Sequence, residues 1–300
     1  MRWLLWGTLA AALLLALVNL AVVALLMEGV LHPPVTRHPS DVAMLVHDVE
    51  NSTGAKASAV SITSKDGVLL KGWWLTPPGG ALKAVMICHG VGDSAMGSLG
   101  FSWLFLRHGY AVLLPESRGH GQSAGFVTYG VREADDVVAW LCFTRARGAK
   151  AVYALGESLG GAILLQSLAR GADFQAVVAE SAYASFLEVA DDRIAQVVWP
   201  PLARLLVREG VIYTKLRYHV DLAEAQPASA VATIRVPVLL IHGADDRETL
   251  PKHSLEIAKA NPAIQLWIVP GAPHTGAYAA APLEFEDKVL AWFSTHETLR

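Results

Sequence analysis

The chain is 300 residues long, 53% hydrophobic and only 17% charged, with a formal net charge of −3. That length supplies one large domain or two modest ones with an ample core, and the composition excludes a multi-span membrane protein. No basic stripe runs through it, so nucleic acid is not the expected partner.

The apolar excess has its source at the start. Residues 3–27 read WLLWGTLAAALLLALVNLAVVALLM, with no charge and one amide, Asn19. A helix of that length crosses a hydrocarbon layer of about 30 Å. A cleaved signal peptide would instead show an apolar region of about 7–15 residues and a small-residue cleavage site, and neither is found. Residues 1–30 are therefore expected to form an uncleaved, single-pass N-terminal transmembrane signal anchor. Arg2 flanks one side and Glu28 the other, with Arg37 further out. The bias of positive charge toward the cytoplasm then places the body on the non-cytoplasmic side.

Residues 31–58, rich in Pro, His and small polar side chains, read as a juxtamembrane linker. The folded domain is expected over 59–300, able to act on short soluble esters without the anchor. It opens with two strands around a tight turn at Asp66-Gly67. Short apolar runs follow at 84–88, 111–114, 151–155, 176–179, 238–241 and 264–269, each bounded by Gly, Pro or charge. Segments of helical period lie between them, at 99–108, 131–143, 159–169, 251–260 and 283–294. Continuous apolar runs are strands buried on both faces, and their alternation with helices predicts a mainly parallel α/β sheet covered on both sides. Cys88 and Cys142 both sit in apolar runs and read as small buried hydrophobes, not as a pair.

Residues 183–235 break the rhythm. They hold no convincing strand, and apolar residues recur at near-helical spacing around Pro200-Pro201. This predicts a helical lid insertion, with Trp199 and Leu202 expected to line an acyl-binding groove.

The chemistry centres on GESLGG, residues 156–161. A strand leads in and a helix leads out, the context of a nucleophile elbow that presents the Ser158 hydroxyl at the carboxyl edge of the sheet. The flanking glycines leave room where strand and helix approach. A serine needs a base. His274 lies in the Gly/Pro-rich loop VPGAPHTGAY directly after the last strand, while His253 and His296 fall on helical segments and read as solvated. Asp245 and Asp246, just beyond the strand at 238–241, and Glu180, after the strand at 176–179, are the candidate acids. The backbone N–H groups of Val91 and Leu159 are the expected oxyanion donors. His89 reads as a structural residue of its turn.

With HGVGDS, PESRGHGQS, GESLGG, IHGADD and PHTGAY in that order, the chain from about residue 59 resembles the α/β-hydrolase-fold serine hydrolases. Within them it is similar to the membrane-anchored α/β-hydrolase-domain and serine-aminopeptidase-like type. The resemblance implies an α/β-hydrolase fold with a helical lid. Its H-G-x-x-D pattern lands on Asp246, giving a Ser158–His274–Asp246 triad. Glu116 stands where the family's D-x-R-G-x-G-x-S loop usually has aspartate, a departure that touches the loop alone.

The expected function is cleavage of carboxylic esters with lipid-like acyl groups through an acyl-enzyme, the substrate being a small-molecule acyl ester beside the bilayer. A peptidase or thioesterase with the same triad is one alternative. A membrane-tethered binding protein on a non-catalytic scaffold is another. No cofactor or metal is expected, since there is no H-E-x-x-H and no Cys/His cluster at ligand spacing.

Overall fold

The computed structural model describes residues 2–34 and 39–297, so Arg37 and His38 lie outside the described residues. Eight strands, β1 (Lys56–Thr63), β2 (Leu69–Thr76), β3 (Lys83–Cys88), β4 (Tyr110–Pro115), β5 (Ala151–Glu157), β6 (Val177–Glu180), β7 (Val238–Gly243) and β8 (Gln265–Val269), form one sheet in the order β1-β2-β4-β3-β5-β6-β7-β8. β1 and β2 are antiparallel, as are β2 and β4, and every pairing from β4 through β8 is parallel. This is the mainly parallel sheet that the alternation of runs predicts, and the α/β-hydrolase fold that the resemblance implies. β3, β4, β5 and β7 are almost wholly buried, as unbroken apolar strands must be when both faces are covered.

The helices divide between the two faces. α1 (Arg2–Leu31) and α2 (Pro39–Thr53) precede the sheet, and α3 (Ala95–Leu99), α4 (Ser102–Arg107), α5 (Glu133–Ala146) and α6 (Leu159–Ala169) fall between its strands. After β6 come α7 (Phe186–Ala195), α8 (Pro200–Tyr218) and α9 (Pro227–Ala230), then α10 (Lys252–Ala260), α11 (Ala277–Ala280) and α12 (Pro282–Thr295). Val137, Trp140, Ile163, Leu165 and Ile257 pack α5, α6 and α10 on one face of the sheet. On the other, Val49, Phe105, Phe285, Val289 and Phe293 pack α2, α4 and α12. The segment read as a linker is thus corrected in part: α2 is a helix whose Val46 and Val49 enter the core, because its apolar residues three apart fall on one face. Cys142 is also corrected, lying exposed on the outer side of α5 while Cys88 is buried.

α1 is long and apolar enough to cross a membrane. It is not a free tether, however. Residues 3–22 are exposed apart from the half-buried Asn19, whereas Val23, Met27 and Leu31 are buried in a cluster with Phe186, Val211, Val220 and Leu222. The Leu31 carbonyl accepts from Val127 N–H at 3.0 Å, and the Glu28 carboxylate accepts from the hydroxyls of Tyr213 and Tyr218 at 2.7 and 2.6 Å. A Cβ on Gly210 would stand 2.6 Å from the Met27 sulfur, so the Met27 side chain lies directly over this glycine of α8. The lower third of α1 is therefore part of the hydrolase body. A body cut at residue 59, expected to keep activity on short soluble esters, would lack one wall of this apolar cluster. The expected outcome for Leu31→Ala, at a fully buried side chain, is a loss of about 2–5 kcal/mol of stability. Leu13→Ala, on the exposed stretch, should leave thermal unfolding in detergent unchanged. Equal unfolding temperatures for the two variants would contradict the packing.

Candidate active site

The elbow forms where β5 runs into α6 with no connecting loop. Ser158 has φ 51° and ψ −115°, a left-handed conformation that costs an L-residue energy. Close packing around it enforces that conformation. A Cβ on Gly160 would collide with the Cys88 carbonyl, and one on Gly156 would sit 2.6 Å from the Gly160 carbonyl carbon. Ser158 N–H is held by the Glu180 carbonyl of the neighbouring strand at 2.8 Å.

Around this hydroxyl the structure brings together three residues from three strand ends. His274 Nε2 lies 2.9 Å from Ser158 Oγ, and His274 Nδ1 lies 2.7 Å from Asp246 Oδ2. Asp246 is buried, its other oxygen accepting from the N–H groups of Glu248 and Thr249, both at 2.9 Å. Burial would push this carboxyl up, but hydrogen bonds from His242, His274 and Thr249 outweigh it and hold Asp246 well below the usual carboxylate range. Asp245 is exposed, and Glu180 accepts from Ala277 N–H at 2.9 Å. Of the three candidate acids, only Asp246 meets the imidazole.

The sequence reading passed over His242. It is buried in β7, with Nε2 2.7 Å from the Thr249 carbonyl and 3.3 Å from Asp246 Oδ2, and Nδ1 2.6 Å from Ser254 Oγ. Its position in the IHG run, inside an apolar strand four residues before Asp246, was the available signal. His253, read as solvated, is fully buried and contacts Ala184 N–H and Asp192.

Val91 and Leu159 flank Ser158, and neither N–H meets a protein acceptor among the described residues. Two buried imidazoles hold the loop that carries Val91. His89 accepts from Ser117 N–H at 3.1 Å, and His120 accepts from Gly92 N–H at 3.0 Å. The rings meet edge to face at 5.0 Å. Burial, then the neighbouring His120, pulls His89 down to about 3, so it stays neutral as an acceptor.

Ser158 opens onto two spaces of different character. One is an apolar cavity of about 160 Å³ walled by Val30, Tyr129, Tyr183, Phe186, Val189 and Ile194. The other is a polar cleft bordered by Asp93, Glu157, Arg193, Glu248 and His274. Trp199 and Leu202 reach neither. They are exposed at the start of α8, because that helix turns Ala203, Val207, Gly210 and Val211 inward instead. Within residues 183–235 the cavity lining comes from Tyr183 and from Phe186, Val189, Ala190, Arg193 and Ile194 of α7. Val30 adds a wall from α1, its carbonyl 3.3 Å from the Tyr129 hydroxyl.

Residues 98–298 match the model of the prolyl oligopeptidase family, a peptidase S9 domain. The chain belongs to the prolyl oligopeptidase family. It is a hydrolase of that family, on the α/β-hydrolase fold. The Bacillus subtilis (strain 168) protein YqkD is 34% identical over 221 residues, covering 70% of each chain. Among solved structures, the Pyrococcus furiosus esterase Pf2001 superposes with a TM-score of 0.66 at 24% identity, over 82% of this chain and 95% of that one. The α/β hydrolase GrgF from Penicillium sp. sh18 gives 0.59 at 18% identity, over 80% and 99%.

Beneath the elbow of this family member lies a pair of acids. Glu157 and Glu180 are register partners on β5 and β6. Burial, followed by Glu180 and Asp93, pushes Glu157 up to about 8. Burial likewise pushes Glu180 up to about 7, against the N–H of Ala277 and the two nearby imidazoles. Both pKa values are raised in the folded chain, so folding favours the protonated forms. The stability they contribute is complete below the ordinary carboxyl value and is lost as pH rises through about 7 and about 8. The unfolding temperature is expected to fall between about pH 5 and about pH 8, and Glu157→Gln should flatten that decline. Calorimetric scans across the interval test this, and an unchanged slope in the variant would count against the pair.

Proposed function

We propose that the chain is a membrane-tethered serine hydrolase that cleaves carboxylic esters of lipid-like acyl chains. The observation that carries this reading is the continuous relay Asp246–His274–Ser158, at 2.7 and 2.9 Å, whose hydroxyl borders an apolar cavity. The acyl chain enters that cavity, and the leaving group occupies the polar cleft. Ser158 attacks the ester carbonyl as His274 Nε2 takes its proton. Asp246 accepts from Nδ1–H throughout, fixing the tautomer and stabilising the imidazolium. The amides of Val91 and Leu159 receive the oxyanion, the latter at the N-terminus of α6. His274 returns its proton to the leaving oxygen, and water, activated by the same imidazole, releases the acyl group.

Membrane anchoring is part of the proposal. The exposed stretch of α1, about 20 residues at 1.5 Å each, spans about 30 Å. The positive-inside bias puts the body on the non-cytoplasmic face. The family match supports a second reading, a peptidase with the same three residues. The apolar wall favours the ester, because a pocket of Phe186, Val189 and Ile194 selects an acyl chain by burial alone.

Ser158→Ala is expected to abolish labelling by a fluorophosphonate probe and ester turnover without lowering the unfolding temperature. Asp246→Asn should reduce kcat by up to about 10⁴-fold, and Asp245→Asn, at an exposed position, far less. A near-wild-type rate in either Ser158→Ala or Asp246→Asn would sink the mechanism. Across p-nitrophenyl esters, kcat/KM should climb about fourfold per methylene, from about 0.8 kcal/mol each, until the cavity is full. Ala190→Trp, which fills the cavity, should move that plateau to shorter chains while Trp199→Ala leaves it in place. Faster turnover of a peptide anilide than of any ester would favour the peptidase.

A further inference from the structure

α8 carries a face that its own fold leaves unpartnered. Ala203, Val207, Gly210, Val211 and Thr214 point into the body. At 100° per residue, Leu205, Ile212 and Leu216 share an outer stripe, exposed by 52%, 57% and 75%. Arg204, Arg208 and Lys215 form the adjoining stripe. Arg208 and Lys215 pair with Asp191 and Asp221, while Arg204 and Arg217 meet no carboxylate within salt-bridge distance among the described residues. An apolar stripe beside a basic one on a helix is the pattern of a segment that lies in a membrane interface.

Its placement relative to α1 gives the pattern direction. The Asn19 amide donates to Glu209 at 2.8 Å, where α1 leaves the body. Leu20 and Val23 of α1 then border a groove of about 480 Å³ with Ile212, Tyr213, Leu216 and Arg217 of α8. The outer stripe of α8 is therefore continuous with the exposed apolar surface of α1. Lipid around α1 would meet Ile212 and Leu216 next, and the arginines would lie at headgroup level.

We infer that the outer face of α8 is a second membrane contact, resting on the headgroup layer of an anionic bilayer beside the entry point of α1. This rests on the reading of α1 as a membrane span. Glu209, beside the stripe, is engaged by the Asn19 amide, while Arg204 and Arg217 are the α8 charges with no carboxylate partner among the described residues, so negatively charged lipid is the occupant although the chain as a whole is acidic. Val211 of α8 belongs to the same apolar cluster as Phe186, a wall of the Ser158 cavity.

The test uses the full chain in phosphatidylcholine vesicles with or without phosphatidylglycerol. A polarity-sensitive dye is placed on Leu205→Cys in a Cys142→Ser background, with Leu283→Cys as an exposed control. The expected result is a several-fold rise in emission at position 205, with protection from an aqueous quencher, only when phosphatidylglycerol is present. Arg204→Glu with Arg217→Glu should reverse it, and position 283 should not respond. Equal water exposure at 205 in both vesicles, or equal burial in both, overturns the proposal. Self-quenching between labelled chains that disappears on lipid dilution also overturns it, since a second copy would then cover the face. A carbonate wash reads α1 separately: release of the chain refutes the span, whatever the dye reports.

Discussion

The site depends on how closely β5, α6 and the loop after β3 approach one another. At Gly156 and Gly160 backbone meets backbone with no room for a Cβ, and Ser158 is the residue left to absorb the turn at φ 51°. That compression lifts the hydroxyl clear of the sheet and points the first N–H of α6 toward the same space. It also sets Ser158 N–H on the Glu180 carbonyl, which locks β5 and β6 in register beneath the elbow. The strain is held by a core in which α6 is buried along nearly its whole length.

Around this point hydrogen bonds hold Asp246 charged and burial holds two imidazoles neutral. Asp246 accepts from the His274 imidazole and two backbone amides, with His242 Nε2 3.3 Å from its Oδ2, and stays charged despite burial. His89 and His120 do the reverse. Kept neutral by burial, they accept from backbone amides and so fix the loop that carries Val91. Two buried histidines thus fix the Val91 loop and one, His242, lies against Asp246, leaving His274 as the imidazole in contact with the hydroxyl.

The N-terminal helix links this site to its surroundings. Val30 walls the cavity, Leu31 and Met27 fill the cluster behind α7, and Glu28 gathers two tyrosines of α8. A helix that composition marks as an address is, over its last turns, a component of the enzyme body. The apolar residues at its base join α1 to Phe186 of α7 and Val211 of α8 in one cluster.

Much of this could be read without coordinates. The alternation of apolar runs and helical periods gave the succession of strands and helices along the chain, since β-strands buried on both faces have no polar side to show, while the strand order within the sheet came only from the structure. GESLGG, the histidine loop after β8 and the acids after β7 placed Ser158, His274 and Asp246 at one sheet edge, because a parallel sheet brings its strand ends to the same side. What remained open were contacts between residues far apart in sequence. Only the tertiary structure distinguished Asp246 from Asp245 by geometry, brought His242 and His120 to the site, turned Trp199 outward, and made a third of α1 into core. Periodicity reports that a helix has an apolar face, but not which neighbour covers it. A side chain one position along a turn points to a different partner, and that partner is chosen by packing.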